Sequence, residues 1–275
     1  MKYKAIFSDF DGTLYRDDYT ISDTNKKAIH DYVNHGGKFI LATGRLFQSI
    51  RPIAQNDLDL HRDIIVYQGA GVYDIDSGEL KHSDYISKDK ALEIARFLDQ
   101  QEDVIGVTYL DDNCYCKADN DFIKKFASIC KIKYNVTGKS LYEFINENPH
   151  DPMKFIALVN ENKADDLVAS AKKEFGEEMS MCKSKPFIVE FLPTGTNKAS
   201  AIAKLCKDYG LKREEIIAVG DSENDMSMIE YAGLGIATGN AFKQTKDKAD
   251  FVSKTNDEDA IAQIIYKFCL NDIGE

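Results

Sequence analysis

Two aspartates one residue apart, Asp9 and Asp11 in Asp9-Phe10-Asp11-Gly12-Thr13, directly follow the short apolar run Ala5-Ile6-Phe7. Such a run reads as a buried first strand. Both carboxylates then emerge at its carboxyl end, where open α/β sheets hold their ligands. The pair suits three kinds of chemistry: attack on phosphorus by one carboxylate, ligation of magnesium by hard oxygens, and proton transfer by the second aspartate. The same residues could also do no more than cap a turn. Three further groups bear on the choice.

The first is Thr43-Gly44-Arg45, after the apolar stretch Phe39-Ile40-Leu41-Ala42. A hydroxyl beside an unhindered backbone N–H suits a phosphoryl oxygen, although Thr43 could equally cap a helix. The second is Lys198, at the start of an amphipathic helix, where a cation opposes the macrodipole unless an anion lies nearby. The third is Gly220-Asp221-Ser222-Glu223-Asn224-Asp225, after Ile216-Ile217-Ala218-Val219. Its aspartates could complement a helix dipole. They could also complete, with Asp9, the oxygen shell of a hard cation, with Asp225 or Glu223 in support. All four groups fall at strand ends of one predicted sheet, and together they supply nucleophile, acid–base group and charge stabiliser. A catalytic site accounts for all of them.

The elements that must carry these residues alternate. A helix from Ser22, with Ala28, Ile29, Tyr32 and Val33 on one face, ends at Gly36-Gly37 before the second strand. A short helix from Leu46, a third strand at 64–67 and a hairpin around Asp76-Ser77-Gly78 follow. The middle of the chain mixes helices with paired strands, which suits an α+β module with one solvated sheet face. Strict alternation returns from Pro193. The expected fold class is α/β, a doubly wound, Rossmann-like parallel-sheet core over 1–84 and 189–275. It is interrupted by an inserted α+β cap domain over 85–188.

Composition narrows the partners. The 275 residues are 43% hydrophobic and 29% charged, as in a soluble globular protein, with a formal net charge of -11. That charge argues against nucleic acid or an anionic membrane and leaves a small phosphorylated metabolite as the expected partner. The amino terminus reaches Asp9 too soon for a signal peptide, and no apolar segment is long enough to span a bilayer. The cysteines at 114, 116, 130, 182, 206 and 269 lack a second Cys/His pair that would complete a zinc set. They read as reduced thiols of a cytoplasmic protein.

With these motifs together, the chain resembles the haloacid dehalogenase (HAD) superfamily phosphatases, specifically their Cof-type, sugar-phosphatase-like branch, over nearly its whole length. Asp9-Phe10-Asp11-Gly12-Thr13-Leu14 resembles motif I, Ala42-Thr43-Gly44-Arg45 motif II, Lys198 motif III, and Gly220 to Asp225 motif IV. Gly239-Asn240-Ala241 resembles a G-N-A element after the next strand. One departure is Gln68-Gly69-Ala70, where the family commonly has Asn-Gly-Ala, so no contact is carried over to position 68.

The resemblance implies that Asp9 attacks phosphorus and forms an aspartyl-phosphate, while Asp11 protonates the leaving alkoxide and then activates water. It implies Mg2+ held by Asp9, the Asp11 main-chain carbonyl and Asp221, with Asp225 positioning the shell. Thr43, Gly44 and Lys198 then stabilise the transferring group, and Asn224 orients Lys198 or the phosphate. Four aspartates against magnesium and Lys198 leave one excess negative charge. Either a proton on Asp11 or an inward-pointing Arg45 could offset it. The cap is expected to choose substrates through loops around Asp111-Asp112-Asn113 and Lys183-Ser184-Lys185 without aiding phosphoryl transfer. A phosphohexomutase of the same superfamily and a non-catalytic phosphometabolite-binding protein are the alternative functions.

Overall fold

Successive residues of a strand face opposite sides, so short strands that are apolar throughout can serve two helix layers at once. The computed structural model describes residues 1–270. The chain opens with β1 (Ala5–Ser8), α1 (Asp23–Asn34), β2 (Lys38–Leu41), α2 (Phe47–Asn56), β3 (Asp63–Val66), β4 (Gly71–Asp74) and β5 (Leu80–Ser83). Its middle holds α3 (Lys88–Asp99), β6 (Ile105–Leu110), β7 (Asn113–Cys116), α4 (Asp121–Cys130), β8 (Asn135–Val136) and α5 (Leu141–Glu147). There follow β9 (Lys154–Leu158), α6 (Ala164–Phe175), β10 (Ser180–Lys185) and β11 (Ile188–Leu192). The last part comprises α7 (Lys198–Tyr209), β12 (Ile216–Gly220), α8 (Met226–Tyr231), β13 (Leu234–Ala237), α9 (Lys243–Lys246), β14 (Phe251–Val252) and α10 (Ala260–Phe268).

Five parallel strands form the core sheet in the order β14-β13-β12-β1-β2. Ile6, Ile217 and Val219 pack with Ile29, Tyr32, Ile261 and Ile265 of α1 and α10. On the opposite face Ala5, Phe7 and Ala218 pack with Ile202, Leu205 and Met228 of α7 and α8. This is the expected doubly wound α/β core. The third strand departs from expectation. β3 touches the core sheet through a single parallel bridge, Ala42 to Ile65, and belongs to an antiparallel sheet β3-β4-β5.

The inserted segment builds a six-stranded sheet, β10-β11-β9-β6-β7-β8. β11 carries it to Leu192, past the expected boundary at 188, because residues 188–191 pair with β9. One face is covered by α3, α5 and α6 through Ile94, Leu141, Phe155, Leu167, Phe175 and Phe191. The second face is not solvated, contrary to expectation. Tyr109, Ile156 and Ile188 on that face join α4 and the core in one continuous apolar cluster. A strand reading of alternation cannot distinguish burial under helices from burial under another domain.

The β6–β7 hairpin turns on Asp111 and Asp112, both in the left-handed region (φ 50 and 55), as a two-residue hairpin loop requires. Asp112 is therefore aimed at the core and not, as expected, at the substrate site. Its Oδ2 accepts from the Gln48 N–H at 2.9 Å and its Oδ1 from the Tyr67 hydroxyl. The N-cap residue of α2 is Leu46, which has no capping side chain, so the insertion supplies the missing carboxylate. Asp112→Ala is expected to destabilise the protein by about 1–2 kcal/mol, the usual cost of a lost N-cap. Urea unfolding measures this, and amide exchange should rise at Gln48; an unchanged unfolding midpoint would contradict the capping role.

Candidate active site

Asp9 leaves β1 with its N–H on the Val219 carbonyl (2.9 Å), so the first and fourth motifs are set side by side by β1–β12 pairing. Lys198 opens α7, whose start is fixed by Asn197: its side chain accepts from Ser200 N–H at 3.0 Å. The lysine is completely buried. Its Nζ donates to Asp9 Oδ1 at 2.5 Å and Asp225 Oδ1 at 2.6 Å. Burial pulls the ammonium pKa down, but Asp225 and Asp9 outweigh it and the net shift is upward. The anion expected beside this helix start is thus a pair of aspartates.

Asp225 uses its other oxygen to accept the N–H groups of Asp221 (2.9 Å) and Ser222 (3.0 Å). Asp221 in turn accepts from Thr13 Oγ1 (2.9 Å) and Ser222 Oγ (2.8 Å). Asp9, Asp221 and Asp225 bring carboxylate oxygens within 4.8 Å of one another; Glu223 is not in the cluster. Burial first, then Asp225, pushes Asp9 well above the ordinary carboxylate range and Asp221 up to about 6. Three carboxylates face a single lysine, and every donor is a hard oxygen. That set fits a divalent cation of the magnesium or calcium kind.

Asp11 lies beside this cluster but turns away from it. Arg45 grips its carboxylate from both sides, Nε to Oδ2 at 2.8 Å and Nη2 to Oδ1 at 2.7 Å. The guanidinium is buried, with its central carbon 4.8 Å from the Phe10 ring centre. Arg45 therefore points inward and supplies the charge offset that a proton on Asp11 could otherwise have provided. Thr43 is buried at the end of β2, its hydroxyl accepting from the Arg45 N–H at 3.2 Å. Asn240 braces the turn from behind, donating to the Gly12 carbonyl at 2.7 Å and accepting from Asn256 N–H at 3.0 Å.

Asn224 does not reach Lys198, one of the two partners, with the phosphate, that the resemblance implied for it. Its Nδ2 donates to Gln68 Oε1 at 3.0 Å instead. Gln68, left out on sequence grounds, is buried at the centre of the site. Its Nε2 donates to Glu190 Oε1 at 2.8 Å, and Glu190 pairs with Lys154. Burial opposes the Glu190 charge, but Lys154 holds the carboxyl below its usual range. A Cβ at Gly44 would meet Gln68 Nε2 at 2.5 Å, so a side chain there would displace the Gln68 amide. Sequence reasoning missed Lys154 and Glu190, yet each is a charge inside an apolar strand, Met153 to Val159 and Phe187 to Leu192. Charges so placed must find partners, and that was the available signal.

Between the core and inserted sheets lies a cavity of about 60 Å³ lined by Asp9, Asp11, Arg45, Lys154, Lys185 and Glu190. A wider cleft of about 630 Å³ reaches Lys198, Gln68 and Asn224 from beside β10. Among the described residues no helix is long and apolar enough to cross a membrane.

The sequence profile of the haloacid dehalogenase-like hydrolases matches residues 6–265. The chain belongs to this family. It is a hydrolase of the HAD type, with the mixed α/β fold the family implies. A putative phosphatase of Haemophilus influenzae is 30% identical, covering 96% of this chain and 98% of that one. A Bacillus subtilis 5-amino-6-(5-phospho-D-ribitylamino)uracil phosphatase is 29% identical, covering 97% and 96%. Among solved structures, a Thermotoga maritima protein is 27% identical with a TM-score of 0.82, covering 97% of each chain.

The raised carboxyls of Asp9 and Asp221 predict how a cation interacts with the fold. Both groups bind protons more tightly folded than unfolded. Their contribution to stability is therefore present at low pH and is lost as pH rises through their raised folded range, about 6 for Asp221, leaving unrelieved repulsion above it. Magnesium should raise the melting temperature at pH 7.5, by about 2.7 kcal/mol of added stability at 100 times its Kd. The gain should shrink near pH 5, where protons compete for the same oxygens. A magnesium-induced shift equal at both pH values would contradict this assignment.

Proposed function

We propose that the protein is a magnesium-dependent phosphomonoester hydrolase acting on small phosphorylated metabolites through an aspartyl-phosphate intermediate. The observation that carries this reading is Asp9: a buried carboxylate at a strand end, with one oxygen held by Lys198 and, among the described residues, no hydrogen bond to the other. In this reading the free oxygen attacks phosphorus and the ester oxygen departs. Asp9 and Asp221 would hold magnesium through their carboxylates and Asp11 through its main-chain carbonyl, with Asp225 orienting the others. Bound there, the ion supplies positive charge to the oxygens of the transferring phosphoryl group.

Lys198 and the Thr43–Gly44 turn receive the equatorial oxygens in the same scheme. Asp11 gives its proton to the leaving oxygen and then takes one from the attacking water. A carboxyl held at both oxygens by a guanidinium is in its acceptor form. The acid role therefore requires Asp11 to release at least one contact to Arg45 when substrate arrives. Two Bacillus subtilis relatives are named 5-amino-6-(5-phospho-D-ribitylamino)uracil phosphatases, which supports including ribityl phosphates with sugar phosphates as the substrate class. The net charge of -11 favours such a small ligand over nucleic acid or an anionic membrane.

The deciding experiment is a phosphomonoester panel with magnesium, run on the wild type and two variants. Asp9→Asn should abolish turnover of every ester while the protein stays folded; substantial residual activity would sink the nucleophile assignment. Asp11→Asn should lose ~100- to 10,000-fold on alkyl phosphates, whose leaving group needs a proton, and much less on a nitrophenyl ester. Equal losses on the two would remove the acid role. Chelation should silence the wild type.

Lys185 lines the cavity from the inserted segment and forms no ion pair among the described residues. Lys185→Ala is expected to reorder kcat/KM among large substrates and spare the nitrophenyl ester. A uniform loss across the panel would take Lys185 out of substrate selection.

A further inference from the structure

Lys154 and Glu190 have no role in the chemistry just described, yet they are among the most deeply buried charges in the protein. Lys154 opens β9 and Glu190 sits within β11; they are 1% and 2% exposed. An isolated buried ion pair is seldom worth more than apolar residues of the same size. What distinguishes this pair is where its remaining hydrogen-bonding capacity goes. Lys154 Nζ donates to the Gly44 carbonyl at 2.8 Å, and Glu190 Oε1 accepts from Gln68 Nε2 at 2.8 Å. Both acceptor and donor belong to core turns at the site, and Gln68 also holds Asn224. Two strands of the inserted sheet thus grip the turn after β2 and the turn after β3 through one charged pair.

The cavity of about 60 Å³ between the two sheets at Asp9 and Asp11 is far below the ~300–1,000 Å³ of ordinary ligand sites, so a leaving group fits between them only if the sheets separate. On separation Lys154 and Glu190 keep each other but lose the Gly44 carbonyl and the Gln68 amide. Resting on the phosphatase reading above, we propose that this pair is an interdomain latch. It remakes both contacts each time the inserted domain closes, and so sets the Thr43–Gly44 turn for the phosphoryl group whatever the leaving group. The inserted domain then does more than choose substrates. Lys154 and Glu190 are positioning residues in this scheme, since they act through Gly44 and Gln68.

The test separates latch from scaffold. Lys154→Met alone strands a buried carboxylate and should destabilise the fold, whereas Lys154→Met/Glu190→Met removes both charges and should restore stability. If the pair only stabilises, activity returns with stability. As a latch, the double variant should melt like the wild type yet lose ~10- to 100-fold in kcat/KM, equally on a nitrophenyl ester and a hexose phosphate. Amide exchange across residues 43–48 should rise with it. Gln68→Asn, one methylene short of Glu190 with the ion pair intact, should show the same uniform loss, and it serves alone if the double variant does not fold. A folded variant that keeps wild-type kcat/KM on both esters, or loses it on the hexose phosphate only, overturns the latch. If the wild type hydrolyses no ester, the phosphatase reading falls. Exchange at 43–48 then decides the latch, and no change in the variants overturns it.

Discussion

One fully buried ammonium group fixes the geometry of the site. Lys198 joins Asp9 and Asp225, which lie 189 and 27 positions away in sequence, and so ties the end of β1 and the turn after β12 to the start of α7. Removing one partner from such an arrangement leaves an uncompensated buried charge and costs about 3–5 kcal/mol. The surrounding backbone is shaped to allow it. Gly69 adopts φ +104, and a Cβ there would lie 2.2 Å from the Asn197 carbonyl oxygen. Only glycine lets the turn after β3 press against the cap of α7 and bring Gln68 beside Lys198.

That same lysine is not enough. Asp9, Asp221 and Asp225 crowd one cation, and the raised carboxyls of Asp9 and Asp221 record the imbalance. Asp225 escapes part of it through two backbone N–H groups, and Asp221 through two hydroxyls, so each carboxylate is oriented even where it is not neutralised. The orientation is complete before any cation or phosphate arrives. Sites whose dipoles and charges are fixed in advance need no reorganisation as transition-state charge develops. The repulsion stored among the aspartates is the cost of that readiness.

The core was legible in the sequence because its strands are short, apolar and each followed by a chemically distinctive residue. Asp9, Thr43 and Asp221 could be placed after core strands from periodicity alone, whereas Lys198, expected after one too, follows β11 of the inserted sheet and opens α7. What could not be read was direction. Arg45 turns inward because Phe10 offers its ring and Asp11 its carboxylate, and neither contact has a sequence spacing. Asn224 turns toward Gln68, whose Oε1 accepts from its amide, and not toward Lys198. Asp112 turned out to cap α2 because a helix that starts at Leu46 and Phe47 has no cap of its own. These are decisions made by partners distant in the chain, so a single strand or helix carries no trace of them.

The inserted domain gives the core charged groups at two separate places, Asp112 at the start of α2 and Lys154 with Glu190 at the turns after β2 and β3. Both contacts exchange protein partners for water if the domains separate, so each contributes only about 1–3 kcal/mol net. Weak, reversible contacts are what a closing domain requires, since a strong apolar interface would hold substrate out or product in. Apolar burial does occur on the inner face, through Tyr109, Phe126, Ile156 and Ile188, but it surrounds the polar grips and does not replace them. Closure then excludes water from a cavity whose electrostatics strengthen as it dries. In the proposed latch the polar grips set where the domain stops, and the apolar side chains lining the same cavity keep the stopped position dry.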